Sequence, residues 1–172
     1  ILDYHGVGVS SIGSPFGKIN IADDFEPHFE KFKQCVENAC ILGTKNIGIG
    51  GMPGDARTSY DALMKFIETF NKSAELYAKE GYKLTYHNHS FEFVKVKDNK
   101  TMMDYLVSEL DPNNISFVLD TCWVAHGGAD VRFWLEKLAG RIDILHLKDI
   151  SRVTHFCLLH FIRIHCVYQV HV

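Results

Sequence analysis

Residues 83–93 read KLTYHNHSFEF and carry three side chains able to move a proton or hold a cation: His87, His89 and Glu92. An imidazole changes charge near neutral pH and is a frequent metal ligand. His87 and His89 are two residues apart, so on a strand they point to the same side. Two later stretches end in comparable groups. ISFVLDT (115–121) delivers Asp120, and IDILHLKD (142–149) delivers His146 and Lys148. Taken singly, each has a plain structural use. A strand-end histidine is usually a satisfied hydrogen-bonding residue, a strand-end aspartate can cap the next helix or turn, and a lysine there can be a solvated charge. Three successive strand ends that each bear a nitrogen or oxygen donor point instead to a divalent cation with mixed ligands.

The elements that must position these groups alternate between strand and helix. GVGVSSIG (6–13) reads as a strand, followed by a loop at SPFGK. Phe25, Phe29, Phe32, Val36 and Ala39 recur at helical spacing, which predicts a helix over about 24–42 with Gly43 as its stop. KNIGIGG (45–51) is a second strand and MPGDART a loop. Thr58 or Ser59 can cap the next helix, whose apolar stripe is Leu63, Phe66, Ile67, Phe70, Ala74 and Tyr77, ending at Gly81. KLTYHNH is the third strand, and a short helix follows around 101–110. After the DPNN turn come the fourth strand (115–121), a helix capped by Asp130 and ended by Gly140, and the fifth strand (142–149). The strands are short continuous apolar runs, as expected where both faces are covered. The pattern predicts an α/β fold with a parallel sheet, either a doubly wound open sheet or a (β/α)8 barrel. In both, ligands bind at the carboxyl edge of the strands, where the polar residues cluster. No GxGxxG or GxxxxGK[ST] follows a strand, which lowers the nucleotide-binding readings. Five strands are too few to close a barrel.

The chain has 172 residues and a formal net charge of −3, with 47% apolar and 23% charged residues. That suits one globular domain. It argues against a nucleic-acid surface, which needs an excess of Lys and Arg. There is no run of apolar residues long enough for a membrane span and no signal peptide. Five cysteines, with no CxxC, make a disulfide framework unexpected and favour a reducing cytoplasm.

LTYHNHSFEF, FVLDTCWVAHGG and GRIDILHLKD resemble the sugar phosphate isomerase/epimerase group of the xylose isomerase-like TIM barrels, and SSIGSPFGKI is similar to it as well. The resemblance covers roughly residues 6–150. It implies a partial (β/α)8 barrel with about five βα strands present, and a metal held by a Glu, an Asp, a His and a final Glu on four strand ends. Asp120 matches the Asp and His146 the His. The first Glu often stands in a Glu-Asn-His triplet. Here the triplet is His87-Asn88-His89, so either His87 ligates directly or Glu92 reaches back. The final Glu is absent. Trp123 stands where many relatives carry a histidine, and is expected to be a stacking wall for a sugar or simple core packing.

The implied chemistry is a metal-dependent sugar or sugar-phosphate isomerase/epimerase acting through a metal-stabilised enediolate. Mn²⁺, Mg²⁺, Zn²⁺ or Co²⁺ would be held by His87, Asp120 and His146. Glu92 or His89 would be the acid/base, and Lys148, Trp123 and Asn88 the substrate contacts. His126 is a lesser candidate contact. The partner is a small sugar or sugar phosphate, with no nucleic acid or membrane and with a homo-oligomer possible. The alternatives are a dehydratase of the inosose or 3-keto-sugar type, in which the same enolate expels a β-hydroxyl, and a catalytically inactive fragment. A metal-dependent apurinic endonuclease is disfavoured by the acidic charge.

After Ile150 the character changes. Residues 153–172 contain no Asp, Glu, Lys, Gly, Pro, Asn, Ser or Ala, yet hold four of the ten histidines. His155, His160 and His165 with Cys157 and Cys166 match no zinc spacing. The expected division is therefore 1–150, an incomplete barrel, and 151–172, an aberrant apolar tail from a shifted or read-through frame. The start at Ile1 gives the further expectation that the first βα unit is missing.

Overall fold

The computed structural model describes residues 5–16 and 25–148; the expected tail at 151–172 lies outside them. The elements are strands β1 (Ile12–Gly13), β2 (Asn46–Ile49), β3 (Lys83–His87), β4 (Lys95–Lys97), β5 (Lys100–Thr101), β6 (Ile115–Asp120) and β7 (Ile142–His146). The helices are α1 (Phe29–Leu42), α2 (Tyr60–Lys79), α3 (Met102–Glu109), α4 (Thr121–His126) and α5 (Val131–Lys137). Five strands form one parallel sheet in the order β1-β2-β3-β6-β7. Each new βα unit adds its strand on the same side as the last. A doubly wound sheet reverses direction at a switch point, so this order decides for an arc of a barrel.

The two faces of the sheet differ in chemistry. Ile47, Ile49, Leu84, Tyr86, Ile115, Phe117 and Leu119 belong to the buried core shared with the helices. There they meet Leu63, Ile67, Phe70 and Ala74 of α2 and Leu106 of α3. By strand alternation Thr85, His87, Ser116, Val118 and Asp120 share the other face, the inside of the barrel arc. Three of these five are buried polar or charged residues. The hydrophobic effect therefore fixes the helix side, and the polar groups are left for the lumen.

Helix ends follow the sequence signals closely. Ser59 accepts the Ala62 N–H at the start of α2, and Asp130 accepts that of Phe133 at the start of α5. Gly43 ends α1 in the left-handed conformation. Other elements differ from expectation. The strand expected over 6–13 narrows to Ile12–Gly13. The helix expected from residue 24 begins at Phe29, after a 3-10 turn at Glu26–His28 that contains Pro27. β3 ends at His87 rather than His89, because Asn88 turns inward to bond the backbone of Asp120. The hairpin β4–β5 was not expected. Its turn residues Asp98 and Asn99 both have positive φ, 49° and 60°, the requirement of a tight primed hairpin turn. Helix α4 follows β6 directly with Asp120 as its cap, where the sequence showed no separate period. Among the described residues no helix is long and apolar enough to cross a membrane.

Candidate metal centre

The carboxyl edge of β3, β6 and β7 brings His87, Asp120 and His146 together, with one ligand atom from each within 4.8 Å of the others. The register explains it. His87 pairs with Val118 and Asp120 with His146, so the three side chains come up from neighbouring strands on the lumen face. Asp120 Oδ2 is the centre of the group. His87 Nε2 lies 3.2 Å from it, His146 Nδ1 3.6 Å and Lys148 Nζ 2.5 Å. The other oxygen, Oδ1, accepts the Trp123 N–H at 3.2 Å and so caps α4. Asp120 is fully buried. Burial pushes its carboxyl up, but the adjacent His146, His87 and Lys148 outweigh this and hold it well below the usual carboxylate range.

The backbone of Asp120 is fixed as firmly as its side chain. Its N–H donates to Asn88 Oδ1 at 2.8 Å, and its carbonyl accepts from Asn88 Nδ2 at 3.3 Å. Asn88 has no exposed surface. It was expected at the substrate; instead its amide braces two strand ends, and both ends of that amide are occupied.

Glu92 was expected either to reach the metal or to act as acid/base in the lumen. The structure places it on the opposite side of β3. It follows Tyr86, whose side chain alternates away from His87 into the helix layer, and it is fully buried. Its Oε1 accepts the Tyr86 O–H at 2.8 Å and its Oε2 the His89 N–H at 2.8 Å. The Tyr86 oxygen in turn accepts the Met52 N–H at 3.0 Å. Burial pushes the Glu92 carboxyl up to about 7, against the lowering effect of its hydrogen bonds. Glu92 thus ties the His-Asn-His turn to the β2–α2 loop.

His89 stands in the middle of a row of rings. Its ring stacks on His87, 5.0 Å between centroids, and on Phe91 at 5.6 Å, while Trp123 lies at 5.5 Å and leads on to His126. His89 Nδ1 is buried without a hydrogen-bond partner. Gly51, at φ 98°, packs against that atom: a Cβ there would lie 3.1 Å from it, so the loop can approach the rings only without a side chain. Burial lowers the His89 pKa, with the charge of His87 adding to the effect. Arg57 closes the row from the β2–α2 loop, its guanidinium 3.4 Å from the Phe91 centroid. Arg57 and Tyr86 were not expected in the site. Arg57 could have been found from its place in MPGDART, just beyond a strand's carboxyl end. Tyr86 could have been found from its alternation with His87.

The donor set fits a divalent ion. Bonds of about 2.0–2.1 Å at tetrahedral angles put neighbouring donors about 3.4 Å apart, and the spacings from Asp120 Oδ2 are 3.2 and 3.6 Å. His146 Nδ1 is a buried nitrogen that lacks a hydrogen-bond partner, as a ligand atom would. Two imidazoles and one carboxylate suit Zn²⁺ or Mn²⁺ and leave room for further ligands.

Comparison with known proteins agrees with the fold. The family model of the xylose isomerase-like TIM barrel matches residues 1–158, and the chain belongs to that family. It is 26% identical over 148 residues to an inosose dehydratase of Mesomycoplasma hyopneumoniae, covering 77% of this chain and 47% of the relative. An inosose dehydratase of Geobacillus thermodenitrificans is 31% identical over 84 residues, covering 49% of this chain and 27% of the relative. The chain spans about half the length of the longer-matching curated relatives. Among solved structures, a sugar phosphate isomerase/epimerase from Parabacteroides distasonis superposes with a TM-score of 0.72 at 25% identity, over 93% of this chain and 58% of the other. The IOLI protein, solved with a bound zinc atom, shares the fold with a TM-score of 0.61 at 14% identity, over 88% of this chain and 56% of the other.

Proposed function

We propose that this chain carries the cation-binding part of an enzyme that removes a proton beside the carbonyl of a small keto-polyol and then expels a β-hydroxyl as water. The observation that carries it is the meeting of His87, Asp120 and His146 at three adjacent strand ends. A divalent ion held by these residues supplies a Lewis acid that makes the C–H beside a carbonyl more acidic.

The rest falls to the side chains. Asp120, fixed by Asn88 and by the cap of α4, keeps its charge at any working pH. His89 takes the proton at Nε2, because Nδ1 is enclosed against Gly51. Its lowered pKa keeps the ring neutral and so able to accept. The C–H bond breaks toward His89 and the resulting enolate expels the β-hydroxyl. The imidazolium returns the proton to that hydroxyl, so the products are an unsaturated ketone and water. Lys148, which sits on Asp120 Oδ2, is assigned to the oxygen that gathers negative charge. Trp123 offers a flat apolar wall beside His89.

Loss of water is placed first because the matched relatives across most of the chain are named inosose dehydratases. Isomerisation or epimerisation is the second reading, favoured by the likeness to the sugar phosphate isomerase/epimerase structure. In it, the proton returns to carbon and no water leaves. The test is incubation of the metal-loaded protein with 3-keto-sugars and inososes in D₂O, followed by NMR and mass spectrometry. A product lighter by one water supports dehydration. Deuterium at the carbon beside the carbonyl without that loss supports epimerisation. Neither change with any keto-polyol would overturn the proposal.

A further inference from the structure

Arg57 is held in a way that ordinary surface arginines are not. Its guanidinium carbon sits over Phe91, 3.4 Å from the ring centroid, and one of its nitrogens donates to the Met52 carbonyl at 2.7 Å. No carboxylate of the described residues pairs with it. Arg132, by contrast, bonds Glu136, and Arg141 donates to the carbonyls of Val107 and Leu110. Lys148 is matched to Asp120. Arg57 therefore brings an exposed, immobilised cation with no ion-pair partner among the described residues to the same carboxyl edge as the metal ligands. Phe91, His89 and His87 continue from it as a stacked row with spacings of 5.6 and 5.0 Å. Two ring spacings separate the residue that Arg57 covers from the ligand His87.

We propose that Arg57 is a specificity residue that reads an oxyanion, a phosphate or a carboxylate, at the far end of a substrate whose carbonyl end lies at His87, Asp120 and His146. The proposal rests on the keto-polyol reading above and narrows it to anionic keto-polyols. A planar fork already stacked and tied at one edge loses little freedom when its remaining N–H groups grip two oxygens of such a group. A neutral cyclic polyol gives that fork no charged partner, so discrimination comes from this one contact. The row of rings between the two ends also gives the carbon skeleton an apolar face to lie against.

The test is equilibrium binding, which does not depend on turnover. Tryptophan fluorescence, with Trp123 as reporter, is used to titrate the Zn²⁺-loaded protein with fructose, fructose 6-phosphate and 5-keto-gluconate. At least one anionic ligand is expected to bind about 10–100-fold tighter than fructose. R57M is expected to bring that ligand down to the level of fructose while leaving fructose itself unchanged. R57K, which keeps the charge without the fork, is expected to retain an intermediate preference. The stronger of the two anionic arms tells phosphate from carboxylate. Equal binding of all three ligands by the native protein, or a preference that survives in R57M, would overturn the proposal. A thermal unfolding curve for each variant separates lost binding from lost structure. Failure of the D₂O experiment alone would sink the reaction and leave this binding result standing.

Discussion

Replacing Glu92 with glutamine tests whether the carboxylate beneath the His-Asn-His turn is a buried, proton-sensitive support. Glu92 has no exposed surface, and its oxygens accept from the Tyr86 O–H and the His89 N–H. Burial raises its pKa from 4.5 to about 7. A carboxyl whose folded pKa is raised binds its proton more tightly in the folded state. Its favourable contribution is complete below pH 4.5 and is lost as the pH climbs through about 7. The span corresponds to about 3 kcal/mol. Glutamine does not titrate. At low pH, E92Q should be less stable than the native protein by about 1–3 kcal/mol, because its amide must bury a second N–H where the acid form has a single proton to place. Above pH 7 that deficit should shrink or reverse. Urea unfolding followed by circular dichroism from pH 4.5 to 8.5 measures the difference between the two proteins, in which the other titrating groups largely cancel. A difference that swings by about 3 kcal/mol supports the assignment. A difference constant to within about 1 kcal/mol would refute it, because the carboxylate would then be solvated.

Three further outcomes follow from the same geometry. Y86F removes the hydroxyl that joins Glu92 to the Met52 N–H, so it should cost about 1–3 kcal/mol in urea unfolding and move the Glu92 midpoint above about 7. K148M removes a cation that sits on Asp120 Oδ2, the same oxygen a metal takes, so calorimetric titration with Mn²⁺ should show tighter binding by roughly tenfold. G127A would put a Cβ 2.6 Å from the buried Phe93 ring and 3.0 Å from the Ser90 carbonyl, so it should lower stability by about 1–3 kcal/mol. A native thermal midpoint for that variant would show that the end of α4 can shift freely.

Much of this architecture is legible in the sequence, for a physical reason. The short, mostly apolar runs at 46–49, 83–87, 115–120 and 142–146 fit strands with two covered faces, and three of them end in polar groups suited to the ligand edge. His87, Asp120 and His146 could therefore be grouped before any coordinates. The facing of side chains around the turn after β3 could not. Strand alternation holds only as far as the strand, and β3 stops at His87 because Asn88 turns to bond Asp120 across 32 residues of chain. That long-range bond leaves no local trace, so Asn88 and Glu92 read as lumen residues when one is a brace and the other belongs to the helix layer. The hairpin at Asp98–Asn99 did carry a local signal, two residues tolerant of positive φ, but its strands are only two and three residues long. Arg57 escaped notice because an arginine in a polar loop looks like any solvated charge until its ring partner, Phe91, arrives from 34 residues later.

The central claim is that His87, Asp120 and His146 form one cation site on this chain. Isothermal titration of the native protein and of D120N with Zn²⁺ and Mn²⁺, each protein first stripped of metal, tests it most directly. The native protein is predicted to bind one divalent ion per chain, and D120N to bind it at least about 100-fold more weakly. Absence of binding to the native protein, or equal affinity in D120N, would contradict the claim.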